Sequence, residues 1–252
     1  MHEETVVAEF THQAEGFNRS AVARAEEMLD ALLDLASPAP AERWLDVACG
    51  PGIVARKLAA HAGAVHGVDL TPAMIEIARR EAAAAALANT TFAVGDATAL
   101  ELPDASVDGA VARFVIHHMP VPSRLLAELA RVVRRGGRVV LADHLADDDA
   151  DAAAWALELE RLRDPSHWAS LPLGRLRELA ARGGLVLERE QVFPIELDFD
   201  DWLARGSGGA AAAALIERSL SERPGGSECF RVRPSGERRM LALRMWLAAW
   251  RR

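Results

Sequence analysis

Three aspartates carry the chemistry that can be read from this sequence. Asp46 stands in "RWLDVACGPGIVARKLA", Asp69 in "AVHGVDLTPAM" and Asp96 in "TTFAVGDATAL". Each closes a short apolar run, and the first is followed at once by the turn Gly50-Pro51-Gly52. Glycines between a strand and a helix let backbone pass close to a ligand. Read literally, Gly50 to Ala55 fits the G-x-G-x-x-A pattern of dinucleotide sites, and Asp69 lies near the spacing of a ribose-binding acid. Such an acid accepts both ribose hydroxyls in charge-assisted hydrogen bonds. Asp46 and Asp96 count against a dinucleotide. A carboxylate at Asp46 faces the place of a pyrophosphate, where like charges in a poorly solvated site repel. It suits a cationic centre instead, and Asp96 suits an exocyclic amine such as that of adenine. The three acids describe a ligand with a positive centre, a ribose and an adenine, and no phosphate. S-adenosylmethionine is such a molecule.

Proton-transfer candidates cluster further on. "RFVIHHMP" puts His117 and His118 just past an apolar run, and either could serve as a general base, His117 first. His144 ends "RVVLADH", where a structural hydrogen bond is the expected role. In "RDPSHW", Arg163, Asp164 and His167 share one loop, read as an internal turn network or as substrate contacts. Phe10, Phe114, Trp155 and Trp168 are candidate pocket walls. Asp143, Asp147, Asp148, Asp149 and Asp151 offer the oxygen ligands of a Mg²⁺ site. Four of the five fall where a solvated helix start favours acids, so no metal is expected. Cys49 is read as a small filler.

The elements that must position these groups follow from periodicity. A helical stripe of Val22, Met28, Leu29, Leu32 and Leu33 runs from Ser20 to Ala36. Strands are expected at "RWLDVA", "AVHGVD", "TTFAVGD", "VDGAVARFV" and "RVVLADH". Helices separate them: Ile53–His61, one opened by Thr71 and Pro72, and one from Pro122 to Arg134 ending at Gly136-Gly137. That alternation predicts a parallel sheet covered on both faces. Beyond Asp143 come an acidic helix, a helix from Leu173 to Arg182 and a strand "LVLEREQVF". Helical pieces follow near Asp200–Ala204 and Gly209–Ser221, then two strands joined at Ser235-Gly236.

The chain has 252 residues with a formal net charge of −8 and a single lysine, Lys57. Its acidic balance disfavours a nucleic-acid or membrane partner. No run reaches membrane-spanning length and no secretory signal is visible, so a cytoplasmic protein is expected. The two cysteines make no disulfide framework. The apolar final hairpin could serve as the edge of a homodimer.

The motifs "LDVACGPG", "VHGVDLTPAMIEIARRE", "VGDATALELPDASVD" and "RRGGRVVLAD" resemble, in order and spacing, those of class I S-adenosylmethionine-dependent methyltransferases. The likeness is to the ubiquinone/menaquinone-biosynthesis branch. It covers residues 40–145 and continues more loosely beyond. It implies a doubly wound, Rossmann-like, seven-stranded and mostly parallel sheet with a C-terminal antiparallel hairpin and a small helical cap. One domain, 1–252, would divide into lid helices (1–37), a cofactor core (40–144), a cap insertion (145–175) and the rest of the sheet (176–252).

The same resemblance assigns residues. Asp46, Ala48, Gly50 and Gly52 match the loop under the methionine moiety, and Asp69 the ribose acid. Leu70 and Met74 would pack on the adenine, with Gly95, Asp96 and Ala97 around its amine. Arg113 would stand near the sulfonium, and Phe10 and Gln13 would close a lid. The implied activity is methyl transfer from S-adenosylmethionine to O, N or C of a small molecule, leaving S-adenosylhomocysteine. Catalytic candidates are His117, His118, Arg113 and His167; substrate candidates are Phe114, His117, His144, Trp155, Arg163, His167 and Trp168. Two alternatives stay open: a non-methylating cyclase of this fold that binds the same cofactor, and a nicotinamide-dependent reductase.

Overall fold

The computed structural model describes residues 2–20 and 23–252; the expected stripe residue Val22 lies outside them. The first half runs α1 (His2–Arg19), α2 (Glu26–Ala36), β1 (Arg43–Val47), α3 (Ile53–Ala59), β2 (Ala64–Asp69), α4 (Pro72–Ala84), β3 (Thr90–Val94) and β4 (Val107–Arg113). Then come α5 (Pro122–Val132), β5 (Val133–His144), α6 (Ala150–Arg163), α7 (Leu173–Arg182) and β6 (Val186–Asp198). The chain ends with α8 (Phe199–Arg205), α9 (Gly209–Glu222), β7 (Phe230–Ser235) and β8 (Arg238–Arg251).

One sheet has the strand order β3-β2-β1-β4-β5-β8-β6, with β7 paired to β8 off that path. The first five are parallel, β1 joining β2 and β4, and β4 joining β5. The last three are antiparallel: β8 pairs β6 from Met240 to Arg251, β5 from Met245 to Arg251 and β7 from Arg238 to Leu243. The doubly wound arrangement expected from the alternation is therefore present.

Side-chain alternation explains how both faces are filled. Leu45 and Val47 of β1, Ala110 and Ala112 of β4, and Val139 and Leu141 of β5 enter one core with Leu125, Leu129 and Leu176. Trp44, Val111 and Val140, one residue out of step, enter the opposite core with Leu32, Leu58 and Ile75. Asp46 follows Leu45 on the Trp44 side and emerges where β1 ends. Consecutive strands reverse their order between β1 and β4, and ligands bind at the carboxyl ends of strands at such a switch.

Three expectations need correction, the first being the strand count: among the described residues the sheet has eight strands rather than seven, because β7 adds to β8 beside the main path. The helix before β5 stops at Val132 and the strand starts at the next residue, so Gly136 and Gly137 lie inside β5 rather than capping α5. They serve a bulge. The β4–β5 register jumps between Val107 and Gly109, and Gly136 takes a φ of 74°. The third concerns the acidic run. Asp149 does cap α6, accepting from the Ala152 amide at 2.8 Å. Asp147, however, is buried and accepts from Ser227 Oγ and the amides of Glu228 and Cys229. It fastens the start of α6 to the loop before β7.

Candidate functional site

At the switch point the turn after β1 is held in an unusual backbone state. Ala48, Gly50 and Gly52 all have positive φ, at 53°, 52° and 74°. Glycine takes that region at little cost, while Ala48 is strained there. Two carboxylates hold the turn. Asp69 Oδ2 accepts from the Gly50 amide at 2.7 Å, and Oδ1 accepts from the Thr71 amide at 2.8 Å. Asp46 Oδ2 accepts from the Ala55 amide at 2.8 Å, in the first turn of α3. Asp96 turns on itself, its two oxygens accepting from the amide and hydroxyl of Thr98 at 2.7 and 2.9 Å.

These three acids line one cavity of about 220 Å³. Ala48, Gly50, Leu70, Met74, Gly95, Ala97, Arg113 and Phe10 of the expected cofactor set line it as well, as does Phe114. Gly52 stands behind the turn: a Cβ there would meet Ala78 and Phe92 at 3.0 Å, so its service is to packing. Gln13 turns away from the cavity. Its amide donates to Glu9 at 2.6 Å and to Asp164 at 3.1 Å, binding α1 to the cap. Residues that the sequence reading passed over include Val6, Phe17, Thr71, Thr98 and Arg124. Val6, Phe10 and Phe17 recur at helical spacing on α1, a signal that could have marked them.

Electrostatics separate the acids. Burial pushes the Asp46 carboxyl up to about 7, opposed in part by the Arg113 charge. Burial also raises Asp69, against its two backbone donors. Arg113 is itself lowered by burial to about 10. Its guanidinium donates to the Ala23 carbonyl at 3.0 Å and lies 4.9 Å over the Phe114 ring, so it ties β4 to the start of α2. A ligand bringing positive charge to Asp46 would restore its ionised form.

Beyond Arg113 the histidines gather. His117 Nδ1 bonds Asp143, whose carboxylate also accepts from the amides of Ile116 and His144 at 2.7 Å each. Burial opposes Asp143's charge, yet the His117 charge and hydrogen bond hold it down at about 2. His117 moves the other way, raised by Asp143 against its own burial. It lines neither this cavity nor the next. His118 is the histidine on the cavity wall. Its Nδ1 lies 3.0 Å from the Ser166 carbonyl, which can only accept, so Nδ1 carries the proton and Nε2 the lone pair. Ser166 Oγ donates to Asp164 at 2.6 Å and fixes the partner of His118 in turn.

The remaining substrate candidates do not converge here. Arg163 is buried, stacked on Trp202 and hydrogen-bonded to its carbonyl at 3.0 Å. Trp155 donates to Ser219 Oγ at 2.8 Å and packs edge-on against Phe230. Trp168 is 41% exposed and touches the His2 ring. His144 and His167 instead line a second cavity of about 130 Å³ with Glu160, Ser170 and Cys229.

Helix α1 forms one wall of the main cavity. Phe10 meets Phe17 and, edge-on at 4.9 Å, His118. His2 Nε2 donates to the His118 carbonyl at 2.7 Å, and Glu9 accepts from the Ser207 amide at 3.0 Å. No described helix is long and apolar enough to cross a membrane.

A sequence model described as a methyltransferase domain matches residues 45–141. The uncharacterized methyltransferase YcgJ of Bacillus subtilis (strain 168) is 30% identical over 197 residues, 78% of each chain. The crystal structure of YcgJ matches at a TM-score of 0.82 and 27% identity, covering 90% of this chain and 98% of that one. Aklanonic acid methyltransferase DauC of Streptomyces sp. (strain C5) is 32% identical over 142 residues, 55% of this chain and 64% of its own. In fold alone, the chain also resembles geranyl diphosphate C-methyltransferase of Streptomyces coelicolor A3(2), solved with S-adenosyl-L-homocysteine. That match has a TM-score of 0.64 at 17% identity, over 90% of this chain and 79% of that one.

Proposed function

The chain belongs to the class I S-adenosylmethionine-dependent methyltransferases, and from that premise we propose that it methylates a small, largely apolar metabolite whose reacting atom meets His118. The observation that carries this reading is convergence: Asp46, Asp69 and Asp96 line the same cavity as His118. Three carboxylates suit a cationic adenosyl ligand, and of the two arginines on the wall Arg113 is already engaged with the Ala23 carbonyl and the Phe114 ring. Asp69 would accept the ribose hydroxyls, Asp96 and Ala97 would flank the adenine, and Asp46 would balance the positive centre. Phe10 and Phe17 would exclude water from above.

Bound there, the cofactor supplies a methyl group already activated on sulfur. The protein's task is to align an acceptor and take its proton. Alignment of two reactants is worth about 7–11 kcal/mol at best. The Nε2 lone pair of His118 is the base within reach, kept free by burial that pushes the imidazole down to about 3. A base tuned to the working pH is typically worth on the order of 10²–10⁴. Apolar side chains at the mouth, among them Val6, Met119 and Val121, support an apolar acceptor carrying a hydroxyl, an amine or an acidic carbon. The name of DauC, an aklanonic acid methyltransferase, agrees with a metabolite rather than a macromolecule.

The test is calorimetric titration with S-adenosylhomocysteine, followed by an acceptor screen that reads its release. Micromolar binding and release with one acceptor class support the reading. No binding by the folded chain would sink the cofactor seat, and substrate conversion without release would make it a cyclase. His118→Ala is expected to lower kcat about 100-fold while leaving the affinity for S-adenosylhomocysteine within about twofold; loss of binding instead would give His118 a cofactor role.

A further inference from the structure

We propose that His117, Asp143 and His144 form a site for a divalent first-row transition ion, lying behind the wall of the main cavity at the ends of β4 and β5. One donor atom from each residue lies within 4.8 Å of the other two. An ion of the zinc class binds nitrogen and oxygen at about 2.0–2.2 Å, so its ligands stand roughly 3–4 Å apart. A small turn of an imidazole closes the difference.

The cluster is held for that purpose before any ion arrives. Asp143 cannot swing, because the amides of Ile116, His117 and His144 donate to its two oxygens at 2.7, 3.3 and 2.7 Å. The remaining approach to Oδ1 is taken by His117 Nδ1 through a single shared hydrogen. An ion replaces that hydrogen, bonding Nδ1 on one side and Oδ1 on the other, and the proton leaves to solvent. The His117 and His144 rings are stacked at 4.7 Å and 17°, so one of them must turn out of the stack for both nitrogens to face a common ion.

An independent observation comes from His144. Its Nδ1 is buried and has no hydrogen-bond partner among the described residues. Buried polar atoms are nearly always paired, and an imidazole nitrogen left alone is the group a metal ion would satisfy. The second cavity, lined by His144, His167, Glu160 and Ser170, gives room for water at the coordination position that three protein ligands leave open. Two imidazoles and one carboxylate favour Zn²⁺, Co²⁺, Fe²⁺ or Ni²⁺ over Mg²⁺ or Ca²⁺. None of the three ligands lines the main cavity, so the proposal stands apart from the cofactor reading.

The experiment is a titration of the chelator-stripped full chain with Co²⁺, followed by visible absorption and displaced by Zn²⁺. One equivalent is expected. His144→Phe keeps a ring in place without a donor and should weaken Co²⁺ binding by more than about tenfold, while binding of S-adenosylhomocysteine confirms that the variant is folded. X-ray absorption on the wild-type Co²⁺ complex should count two imidazoles and a carboxylate oxygen, which decides the matter even if the variant does not fold. A folded wild-type chain that takes up neither ion overturns the site. So does Co²⁺ binding that survives His144→Phe, or a ligand count without two imidazoles.

Discussion

Burial raises the Asp46 carboxyl to about 7, with Arg113, Arg56 and the Ala55 amide pulling it down and Asp69 pushing it up. If Asp46 faces the cofactor's positive centre as proposed, cofactor binding should titrate near neutrality. A cationic ligand prefers the ionised carboxylate, so affinity for S-adenosylmethionine should rise about tenfold per unit of pH below 7 and level off above it. Asp46→Asn should bind more weakly at pH 8 and lose the dependence; calorimetry across pH 5.5–8.5 reads both, and a flat wild-type profile removes Asp46 from the contact. The other two acids separate by what else they hold. Asp69→Ala strands the amides of Gly50 and Thr71, so unfolding free energy should drop by roughly 1–3 kcal/mol along with affinity. Among the described residues the Asp96 carboxylate holds only Thr98, so Asp96→Ala should weaken binding with little loss of stability. Denaturation midpoints of the two variants check the contrast, and equal losses would contradict it. These acids were legible because each stands at or just past the end of a strand within a contiguous motif. That His118 rather than His117 reaches the cavity wall was not. It depends on Ser166 and Asp143, respectively 48 and 26 residues away in the chain.

Among elements, α1 shows where sequence reading stops. Phe10 was expected in a lid, and it does line the cavity, yet the residues that fasten the helix lie on its other side. Buried Glu9 accepts from Gln13 and, across 198 positions, from the Ser207 amide at 3.0 Å, while Arg163 reaches the Gln13 carbonyl oxygen at 3.3 Å. Periodicity reports which face of a helix is apolar; it cannot name a polar partner so distant in the chain. The same limit hid the β5 bulge, since a Gly-Gly pair after a helix carries the cap signal and the bulge exists only in register with β4. The parallel strands and their order of use were plain, because each strand–turn–helix unit is local. Glu9→Ala should unlatch α1 at a cost of about 1–3 kcal/mol, because Gln13 and the Ser207 amide lose a buried acceptor. The expected outcome is faster proteolysis within residues 2–19 and weaker S-adenosylhomocysteine binding, with the sheet unchanged by circular dichroism. Native protection of α1 in this variant would show that its apolar face alone holds the lid.

For the whole molecule, the last strand holds the sheet together. β8 lies between β5 and β6, so within the sheet the parallel strands reach β6 and β7 only across β8. Trp246 and Trp250 on β8 are almost wholly buried and join Leu141, Leu179 and Val139 in one core. Trp246 also donates to Glu190 of β6 at 3.1 Å, a carboxylate that Arg177 engages too. Trp246→Ala removes the ring and leaves a void beside rigid sheet, which typically costs about 3–5 kcal/mol. For a chain of this size each kcal/mol lowers Tm by roughly 2–4 °C, so a fall of about 6–20 °C is expected. The substituted position lies outside the cavity lining, and affinity for S-adenosylhomocysteine well below the new Tm should stay near the wild-type value. Denaturant unfolding should shift its midpoint with the slope preserved, the mark of a sheet that still unfolds as one unit. A second transition would show instead that the two halves are held by separate cores and that β8 joins them without coupling them.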